Sequence, residues 1–304
     1  MTHSIAIAGM GRMGANMARR LLAKGIKPHV WNREPEKLKE MAAAGAEASP
    51  DLAAMTAKMP GPRLVWMMIP AGAPTETLFT SLLPLLKKGD VIVDGANSNW
   101  RDAAPRAERA AALGIEYLDA GVSGGIWGLE KGYCVMTGGT PAAQAAAEPF
   151  LKALCAEGGY LHCGPSGAGH FTKMVHNGIE YAMMEAYGEG FELLKASPFG
   201  GMDMAAVAAM WNSGSVIRSW LLELARDAFE KDPKLERVEG VVADSGEGRW
   251  TVEEAVRFGV PLPAITVSLF KRFRSQVKDD FGDRLSAALR NEFGGHAVKR
   301  TGDR

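Results

Sequence analysis

The sequence predicts an α/β fold in which a doubly wound parallel sheet is followed by an all-α C-terminal domain. Two observations predict it. Short apolar runs alternate with helical patterns from residue 4 onward, and from Gly167 to the C-terminus the periodicity is helical almost throughout. Alternating strands and helices favour a parallel sheet with both faces covered. We therefore predict two domains, residues 1–164 and residues 165–304.

The composition is that of an ordinary globular protein, and it excludes several classes of partner. The 304 residues are 47% hydrophobic, with 35 acidic against 35 basic residues. This balance gives no broad field for nucleic acid or an anionic membrane, so an anionic ligand needs local arginines and backbone dipoles. No segment reaches the roughly 18 apolar residues of a membrane span, and no signal peptide is evident. We expect a cytoplasmic protein with no nucleic-acid or membrane partner.

A glycine-rich turn follows the first apolar run and predicts a dinucleotide site. The run Ser4–Ala8 enters a G-x-G-x-x-G pattern, and a helical pattern follows. In this order, which is typical of a Rossmann-type domain, the glycines allow a tight turn, the approach of a pyrophosphate and close packing of the helix on the strand. A βα turn that binds no nucleotide is the alternative. The predicted cofactor-binding residues of the turn are Gly9, Met10, Gly11, Arg12, Met13 and Gly14.

The end of the second predicted strand, residues 28–31, bears on the choice of cofactor. An NAD enzyme usually carries Asp or Glu there, to bind the ribose hydroxyls. This chain has Asn32 and Arg33 instead, and a guanidinium suits the additional phosphate of NADP. A capping Asn followed by a solvated Arg beside Glu34 is the alternative. The sequence favours NADP, with NAD as the second choice.

Two further loops are predicted to lie beside the cofactor, because ligands of parallel sheets bind at the carboxyl ends of the strands. One apolar run ends at Pro70, Ala71 and Gly72, and the next ends in DGANS, which contains Asn97.

A turn of three small residues, Ser123, Gly124 and Gly125, follows a later predicted strand. Its hydroxyl and backbone donors suit a carboxylate or phosphate. A tight turn without a ligand is the alternative.

The stretch from residue 167 to residue 194 is predicted to form one long helix with a polar seam. Apolar residues flank the seam, which inverts the usual amphipathic pattern. A solvated face is the alternative, but it would favour Lys, Glu and Arg over residue types that serve proton transfer and substrate orientation. The seam residues, at positions i, i+3, i+4, i+7 and i+8 of one face, are Lys173, His176, Asn177, Glu180 and Tyr181.

Another helix is predicted to open within the sequence GEGRWT. Thr251 is predicted as its N-cap, because Glu254 follows at capping-box spacing.

Six motifs in order resemble those of the decarboxylating 6-phosphogluconate dehydrogenases. They are GMGRMGAN, DGANS, DAGVSGG, GAGHFTKMVHNGIEY, GEGRWT and RNEFGGH, and they run nearly from end to end. The length is similar to the short form of the family, in which the helical domain is not duplicated. The wider β-hydroxyacid dehydrogenase superfamily shares the glycines, Ser-Gly-Gly and Lys-x-x-x-Asn, but not the Glu-Tyr pair that continues the seam.

The resemblance implies oxidation of 6-phosphogluconate to ribulose 5-phosphate and carbon dioxide with NAD(P), a step of the pentose phosphate pathway. It implies Lys173 as the base that takes the hydroxyl proton and then as the acid that protonates the carbonyl oxygen during decarboxylation. Glu180, two helical turns away, is implied as the acid that protonates the enediol at carbon. No metal is expected, because Lys173 gives the electrophilic assistance, and the three cysteines lack ligand spacing.

The resemblance also assigns residues around the sugar chain. His176 and Asn177 are implied to orient the hydroxyl groups, and Asn97 is implied to lie between nicotinamide and substrate. The carboxylate end is implied to bind to Ser123, Gly124 and Gly125.

The phosphate end is implied to bind Tyr181, Thr251, Arg290 and His296. The last two reach in from a neighbouring subunit in this family, so we expect a homodimer or homotetramer. Arg249 stands where longer members carry lysine, which leaves its contact with phosphate open. A further substrate arginine is expected, and spacing does not choose among Arg218, Arg272 and Arg274.

Two other functions are weighed against this one. A non-decarboxylating β-hydroxyacid dehydrogenase would act on a small hydroxy acid with Lys173 alone. A nucleotide-sensing or scaffold protein would keep the fold without turnover, but such a protein has no need of a positioned acid and base together.

Overall fold

The structure, a computed structural model, describes residues 3–278 and 280–299. The predicted fold class is confirmed: a mostly parallel sheet with helices on both faces comes first, and a helical region follows. The chain divides into two compact units, Met1–Asn177 and Gly178–Arg304. The domain boundary after residue 164 stays a prediction.

Within the described residues, the strands of the first unit form one eight-stranded sheet in the order β3-β2-β1-β4-β5-β6-β7-β8. Their bounds are β1 (Ser4–Ala8), β2 (His29–Trp31), β3 (Glu47–Ala48), β4 (Arg63–Met67), β5 (Val91–Asp94), β6 (Glu116–Ser123), β7 (Tyr133–Gly139) and β8 (Cys155–Gly164). Strands β1 to β6 pair in parallel, whereas β7 runs antiparallel to β6. Residues 124–132 are too few for the crossover that a parallel pairing needs, so the chain reverses direction there.

Helices cover both faces of this sheet. Those of the first unit are α1 (Arg12–Ala23), α2 (Pro35–Ala43), α3 (Leu52–Lys58), α4 (Ala73–Leu82), α5 (Ala103–Ala111), α6 (Gly128–Lys131) and α7 (Pro141–Leu154). Alternate side chains of β1 enter different cores: Ile5 and Ile7 pack with α1, α2 and α7, while Ala6 and Ala8 pack with α3, α4 and α5. This alternation along each strand is what a sheet buried on both faces requires.

The second unit is helical. The long helix α8 (Ala168–Ala196) enters it from the first unit, and α9 (Met204–Gly214), α10 (Trp220–Lys231), α11 (Glu247–Phe258), α12 (Pro263–Ser275) and α13 (Phe281–Gly294) follow. Phe191, Ala208 and Leu222 form a small core with neighbouring aromatic rings. None of the helices in the part of the chain that the structure describes is long and apolar enough to span a bilayer.

Candidate active site

The predicted dinucleotide turn has the backbone that its glycines were expected to provide. Gly9 has φ +110°, and a Cβ there would lie 2.3 Å from the carbonyl oxygen of Met68. A Cβ on Gly14 would lie 2.0 Å from the carbonyl oxygen of Gly9, so α1 packs directly on the turn. Gly11 faces open space and is the N-cap of α1, with no side-chain cap on the first N–H groups. These groups fit a pyrophosphate.

Asn32 and Arg33 follow β2 at the same edge of the sheet. The Oδ1 atom of Asn32 accepts a hydrogen bond from the Met10 N–H at 2.9 Å, so this side chain fixes the glycine turn. Arg33 is exposed. Pro70, Ala71 and Gly72 follow β4, the other neighbour of β1, and Gly72 has φ +86° at the N-cap of α4. The predicted cofactor residues therefore meet at the carboxyl ends of adjacent strands.

Asn97 is held by the sheet in an unusual conformation. Its φ is +52°, which is uncommon for a residue other than glycine. Its side chain bridges the backbone of Val122, accepting from the N–H at 2.8 Å and donating to the carbonyl oxygen at 3.1 Å. The loop after β5 is thus fixed next to the end of β6, where the Ser123 turn begins.

A cluster of buried charges lies behind this loop, and the sequence did not predict it. Asp94 accepts hydrogen bonds from Arg106 at 2.9 Å, from Ser98 at 3.0 Å and from Tyr117 at 3.1 Å. Burial alone would raise the pKa of Asp94, but the neighbouring His170 and Arg106 lower it to about 2. Burial would lower the pKa of His170, but Asp94 and Asp119 raise it. The cluster therefore holds a negatively charged carboxylate next to positively charged side chains inside the core.

The cluster also fixes the start of α8. The Asp119 carboxylate accepts the N–H of Gly167 at 2.6 Å and the N–H of His170 at 2.8 Å. The Nε2 atom of His170 lies 3.5 Å from Asp94 Oδ2. The first turn of α8 is thereby tied to β5 and β6, because Asp94 and Asp119 are residues of those strands.

Glycines bring α8 onto the backbone of β6 and β7. A Cβ on Gly169 would lie 2.5 Å from the carbonyl oxygen of Met136, and one on Gly138 would lie 2.7 Å from the Gly169 nitrogen. A Cβ on Gly121 would lie 2.2 Å from the Cβ of Lys173. The stem of Lys173 therefore rests against the backbone of β6 at Gly121, and the residue is only 4% exposed.

The N-terminal part of the predicted seam forms a cluster of side chains. Lys173 Nζ donates to Asn177 Oδ1, and His176 Nδ1 lies 3.0 Å from the same oxygen. His176 Nε2 is 3.5 Å from the Ser123 hydroxyl. Gly124 and Gly125, with φ +116° and +50°, continue the turn from Ser123. The first unit thus brings the predicted base and a predicted substrate turn together.

The rest of the seam belongs to the second unit. Glu180 is half-buried, and Tyr181 is 4% exposed. The Tyr181 ring faces the Arg272 guanidinium, whose carbon lies 3.4 Å from the ring centroid. The Tyr181 hydroxyl oxygen lies 3.1 Å from Ser245 Oγ and accepts the Ser245 N–H at 3.2 Å.

Helix α11 differs from the prediction at its start. It begins at Glu247 with Gly246 as the N-cap, so the prediction that Thr251 caps it was wrong. Thr251 lies one turn inside and is buried, and its hydroxyl donates to the Glu247 carbonyl oxygen at 2.8 Å. Gly246, with φ +95°, begins the helix earlier than the capping-box spacing indicated.

Arg249 lies in the first turn of α11. Its Nε atom donates to Asp244, and its guanidinium stacks on the Phe273 ring at 4.5 Å. The side chain of Asp244 is only 4% exposed, and its contact with Arg249 was not predicted from the sequence.

The three candidate arginines of the second unit differ in their contacts. Arg272 stacks on Tyr181 and donates to the Ala243 carbonyl oxygen at 3.0 Å. Arg274 pairs with Asp283 at 2.6 Å, and Arg218 is exposed between α9 and α10.

Arg290 and His296 lie at the end of α13, and both are exposed. The helix ends at Gly295, which has φ +60°, and Asn291 Nδ2 donates to the His296 carbonyl oxygen at 2.9 Å.

Among the described residues, no group of three or more His, Cys, Asp and Glu side chains could hold a metal ion. The expectation that no metal is needed stays a prediction.

Family models match both parts of the chain. Residues 4–164 match the NAD binding domain of 6-phosphogluconate dehydrogenase, and residues 169–291 match the C-terminal domain of 6-phosphogluconate dehydrogenase. The family match and the geometry of the glycine turn both identify the first unit as an NAD(P)-binding domain.

Relatives extend the similarity to full length. The NAD⁺-dependent, decarboxylating 6-phosphogluconate dehydrogenase of Haloferax volcanii is 42% identical over 301 residues, covering 98% of this chain and 99% of that protein. The decarboxylating 6-phosphogluconate dehydrogenase of Drosophila melanogaster is 36% identical over 289 residues, covering 91% of this chain and 60% of that protein.

Solved structures agree with this similarity. The Plasmodium falciparum 6-phosphogluconate dehydrogenase, determined in apo form, with NADP⁺ and with 6-phosphogluconate, matches with a TM-score of 0.83 and 26% identity, covering 99% of this chain and 67% of that one. A Mycobacterium tuberculosis 3-hydroxyisobutyrate dehydrogenase matches with a TM-score of 0.69 at 22% identity, covering 88% of this chain and 91% of that one, which shows the fold alone.

Proposed function

This chain belongs to the 6-phosphogluconate dehydrogenase family, and on that premise we propose that it oxidises 6-phosphogluconate to ribulose 5-phosphate and carbon dioxide with NAD(P)⁺. The observation that carries the proposal is that the buried Lys173 and Asn177 form one cluster with the half-buried His176 beside the Ser123 turn. A buried amine held beside hydroxyl and backbone donors can exchange protons with a bound sugar acid, which an oxidative decarboxylation needs.

The first step is proposed to depend on Lys173. In its neutral form its amine takes the proton of the substrate hydroxyl, while bound nicotinamide supplies the hydride acceptor. Lys173 then returns a proton to the carbonyl oxygen of the resulting keto acid, which favours loss of carbon dioxide. Asn177 holds the amine from one helical turn away, so that its nitrogen is directed before substrate binds.

The last step is proposed to depend on Glu180. The enediol left by decarboxylation must gain a proton at carbon and lose one from its hydroxyl group. Glu180, which lies on α8 two turns beyond Lys173, gives the first proton, and Lys173, neutral again, takes the second. His176 and Asn177 lie between them in the sequence and would orient the hydroxyl groups. Ser123, Gly124 and Gly125 would hold the carboxylate end through a hydroxyl and backbone N–H groups, with Asn97 beside them.

We expect Glu180→Gln to bind 6-phosphogluconate but to lose about 10²-fold in kcat, because the amide keeps the size and hydrogen bonding while removing the transferable proton. Calorimetric Kd and steady-state kcat measure the two effects. Glu192→Gln, at an exposed position of the same helix, is the matched control and should leave both unchanged. An unchanged kcat in Glu180→Gln would assign the carbon protonation to another group.

The phosphate end is proposed to bind Tyr181, Thr251 and Arg272, with Arg249 beside them. Arg272 is preferred over Arg218 and Arg274 because its guanidinium lies over the Tyr181 ring, whereas Arg274 is paired with Asp283. Stacking leaves the edge of a guanidinium available to a phosphate.

NADP is proposed as the preferred cofactor. Arg33 follows β2 without an acidic residue at the ribose position, and it is exposed. The Haloferax relative is named NAD⁺-dependent, so NAD is the alternative. Parallel assays with the two cofactors decide between them, and a preference for NAD would mean that Arg33 does not bind the ribose phosphate.

The active form is proposed to be a homodimer or homotetramer. Helix α13 has no buried residue within the described part of the chain. An apolar stripe along one side of it, with exposures between 48% and 77%, comprises Phe281, Leu285, Leu289 and Phe293. Such a stripe is expected to pack against another surface. Packing against a second copy would carry Arg290 and His296 towards that copy's phosphate end.

We expect Leu289→Asp to lower the molar mass measured by light scattering, because a carboxylate in an apolar interface is costly to desolvate. The variant should also lose activity at low protein concentration. Ala287→Asp, at an exposed position on the opposite side of the same helix, is the control and should keep the wild-type mass. An unchanged mass for Leu289→Asp would show that α13 does not mediate assembly.

The proposed function is tested by mixing the purified protein with 6-phosphogluconate and either cofactor and following the absorbance of reduced nicotinamide. We expect cofactor reduction that depends on the substrate. Absence of reduction with both cofactors would refute the proposal. Reduction with a small hydroxy acid but not with 6-phosphogluconate would favour the non-decarboxylating alternative.

A further inference from the structure

Asp244, which the proposed chemistry does not use, lies at the centre of a polar cluster in the second unit. Its Oδ1 atom accepts the Gly246 N–H at 2.9 Å and lies 3.4 Å from the Tyr181 hydroxyl. Its Oδ2 atom accepts from the Nε–H of Arg249. One buried carboxylate therefore contacts the first turn of α11, the tyrosine of the seam and the arginine that replaces a family lysine.

The carboxylate is charged at neutral pH. Burial would raise the pKa of Asp244, but the Arg249 guanidinium and the Gly246 N–H hold it below its usual value. A charged carboxylate with three partners is a strong restraint on each of them, because hydrogen bonds to ionised groups are about twice as strong as neutral ones.

The geometry of the pair leaves part of Arg249 available. Arginine has five N–H donors in a planar fork, and the hydrogen bond to Asp244 uses the one on Nε. The face of the guanidinium rests on the Phe273 ring. These two contacts fix the orientation of the guanidinium, so its two terminal nitrogens point in a common direction. The Arg249 side chain is 55% exposed.

Lysine could not be held in this way. Its ammonium is a point charge on a flexible stem, without a separate Nε–H and without a plane that stacks on a ring. Asp244 therefore orients an arginine at this position in a way that it could not orient a lysine.

We propose that Asp244 is a positioning residue that fixes Arg249 and Tyr181 so that both bind the substrate phosphate. The inference rests on the proposed function for its kinetic consequences, but not for the binding of phosphate itself. The alternative is that Asp244 acts only as a negative charge that repels the phosphate. Replacing Asp244 would then strengthen phosphate binding instead of weakening it.

The test compares Asp244→Asn with wild type. We expect KM for 6-phosphogluconate to rise about tenfold, kcat to change less than about twofold, and KM for the cofactor to stay the same, because the amide keeps the size of the side chain but loses the charge-assisted bond to Arg249. An unchanged or lowered KM for 6-phosphogluconate would overturn the proposal. A change confined to kcat would also overturn it.

Matched variants separate positioning from a loss of structure. Asp227→Asn removes another Asp–Arg pair of the second unit, that of Asp227 with Arg226, and should leave both KM values unchanged. Arg249→Lys keeps the charge but not the Nε–H and should raise KM as Asp244→Asn does. The double variant should then be no worse than either single one, since both remove one interaction. Additive effects would contradict the proposal.

Calorimetry with inorganic phosphate as the probe makes the inference independent of turnover. We expect weaker phosphate binding in Asp244→Asn than in wild type or Asp227→Asn. If wild type does not oxidise 6-phosphogluconate, the proposed function fails while this comparison still decides the role of Asp244. Equal phosphate affinity in the three proteins would refute that role.

Discussion

Lys173→Met is expected to lower kcat by about 10³-fold while the protein keeps its fold and its affinity for the cofactor. Loss of a positioned acid and base typically costs between roughly 10² and 10⁴ in rate, and Lys173 is proposed to act in both the oxidation and the decarboxylation. Methionine is similar in length and apolar, so it fits the buried channel against Gly121 that the lysine stem occupies. Steady-state kinetics with 6-phosphogluconate measure the loss.

Lys195→Met is the matched control for this variant. Lys195 lies in the last turn of the same helix and is exposed, so its replacement should leave kcat within about twofold of wild type. If Lys173→Met kept kcat within about tenfold of wild type, Lys173 would not be the proton carrier. The base would then have to be sought among His176 and the other polar groups near Ser123.

Asp94→Asn is expected to destabilise the first unit by about 3 kcal/mol at neutral pH. Breaking a buried ion pair by removing one partner costs roughly 3 to 5 kcal/mol, because the remaining charge is left uncompensated. Here Arg106 and His170 would both lose their carboxylate partner. Urea unfolding followed by far-UV circular dichroism measures the loss of free energy.

The stability that Asp94 contributes should depend on pH in a definite direction. The pKa of Asp94 in the folded protein is about 2, below its ordinary value of 3.8. Its contribution to stability is therefore complete above about pH 4 and is lost as the pH falls towards 2. The pKa of His170 is raised, so its contribution is complete below its ordinary value of 6.5 and is lost as the pH rises through the folded pKa. The difference between wild type and Asp94→Asn should shrink on acidification.

Asp102→Asn is the control, because Asp102 contacts the same arginine at 3.7 Å but is 45% exposed. Surface pairs contribute roughly 0 to 1 kcal/mol, so this variant should be close to wild type. Equal stability of Asp94→Asn and Asp102→Asn at neutral pH would contradict the view that the buried cluster holds the start of α8. Because α8 carries Lys173, we also expect Asp94→Asn to lower kcat.

The sequence predicted the elements whose evidence is local. The glycine turn after β1 and the seam of α8 each lie within one short stretch, and periodicity together with glycine spacing was enough to find them. Asn32 was predicted at the cofactor site, although its hydrogen bond to Met10 was not. The resemblance of six motifs then gave the family, which the family models and full-length relatives confirm.

The interactions that the sequence did not predict join residues far apart in the chain. Asp94 and Asp119 each stood in a motif, but their partners in α8 follow only from the packing of that helix on the sheet. The three glycines that admit α8 to β6 and β7 carry no periodic signal. Asp244 and Tyr181 are 63 positions apart, and a single sequence gives no reason to pair them.

Thr251 shows how a local signal can mislead. Its spacing to Glu254 fits a capping box, yet α11 begins at Glu247 because Gly246 takes a positive φ there. The direction of β7 was not predicted: within a sheet expected to be parallel, the short link between β6 and β7 sets an antiparallel pairing.

The proposed reaction couples each oxidation to one decarboxylation. Measuring the stoichiometry of the products tests this coupling directly. The protein is given 6-phosphogluconate labelled with ¹³C at the carboxyl carbon, and labelled carbon dioxide is counted against reduced cofactor. We expect one labelled carbon dioxide for each reduced nicotinamide, with ribulose 5-phosphate as the sugar product. Reduced cofactor without labelled carbon dioxide, and with a keto acid that retains the label, would contradict it.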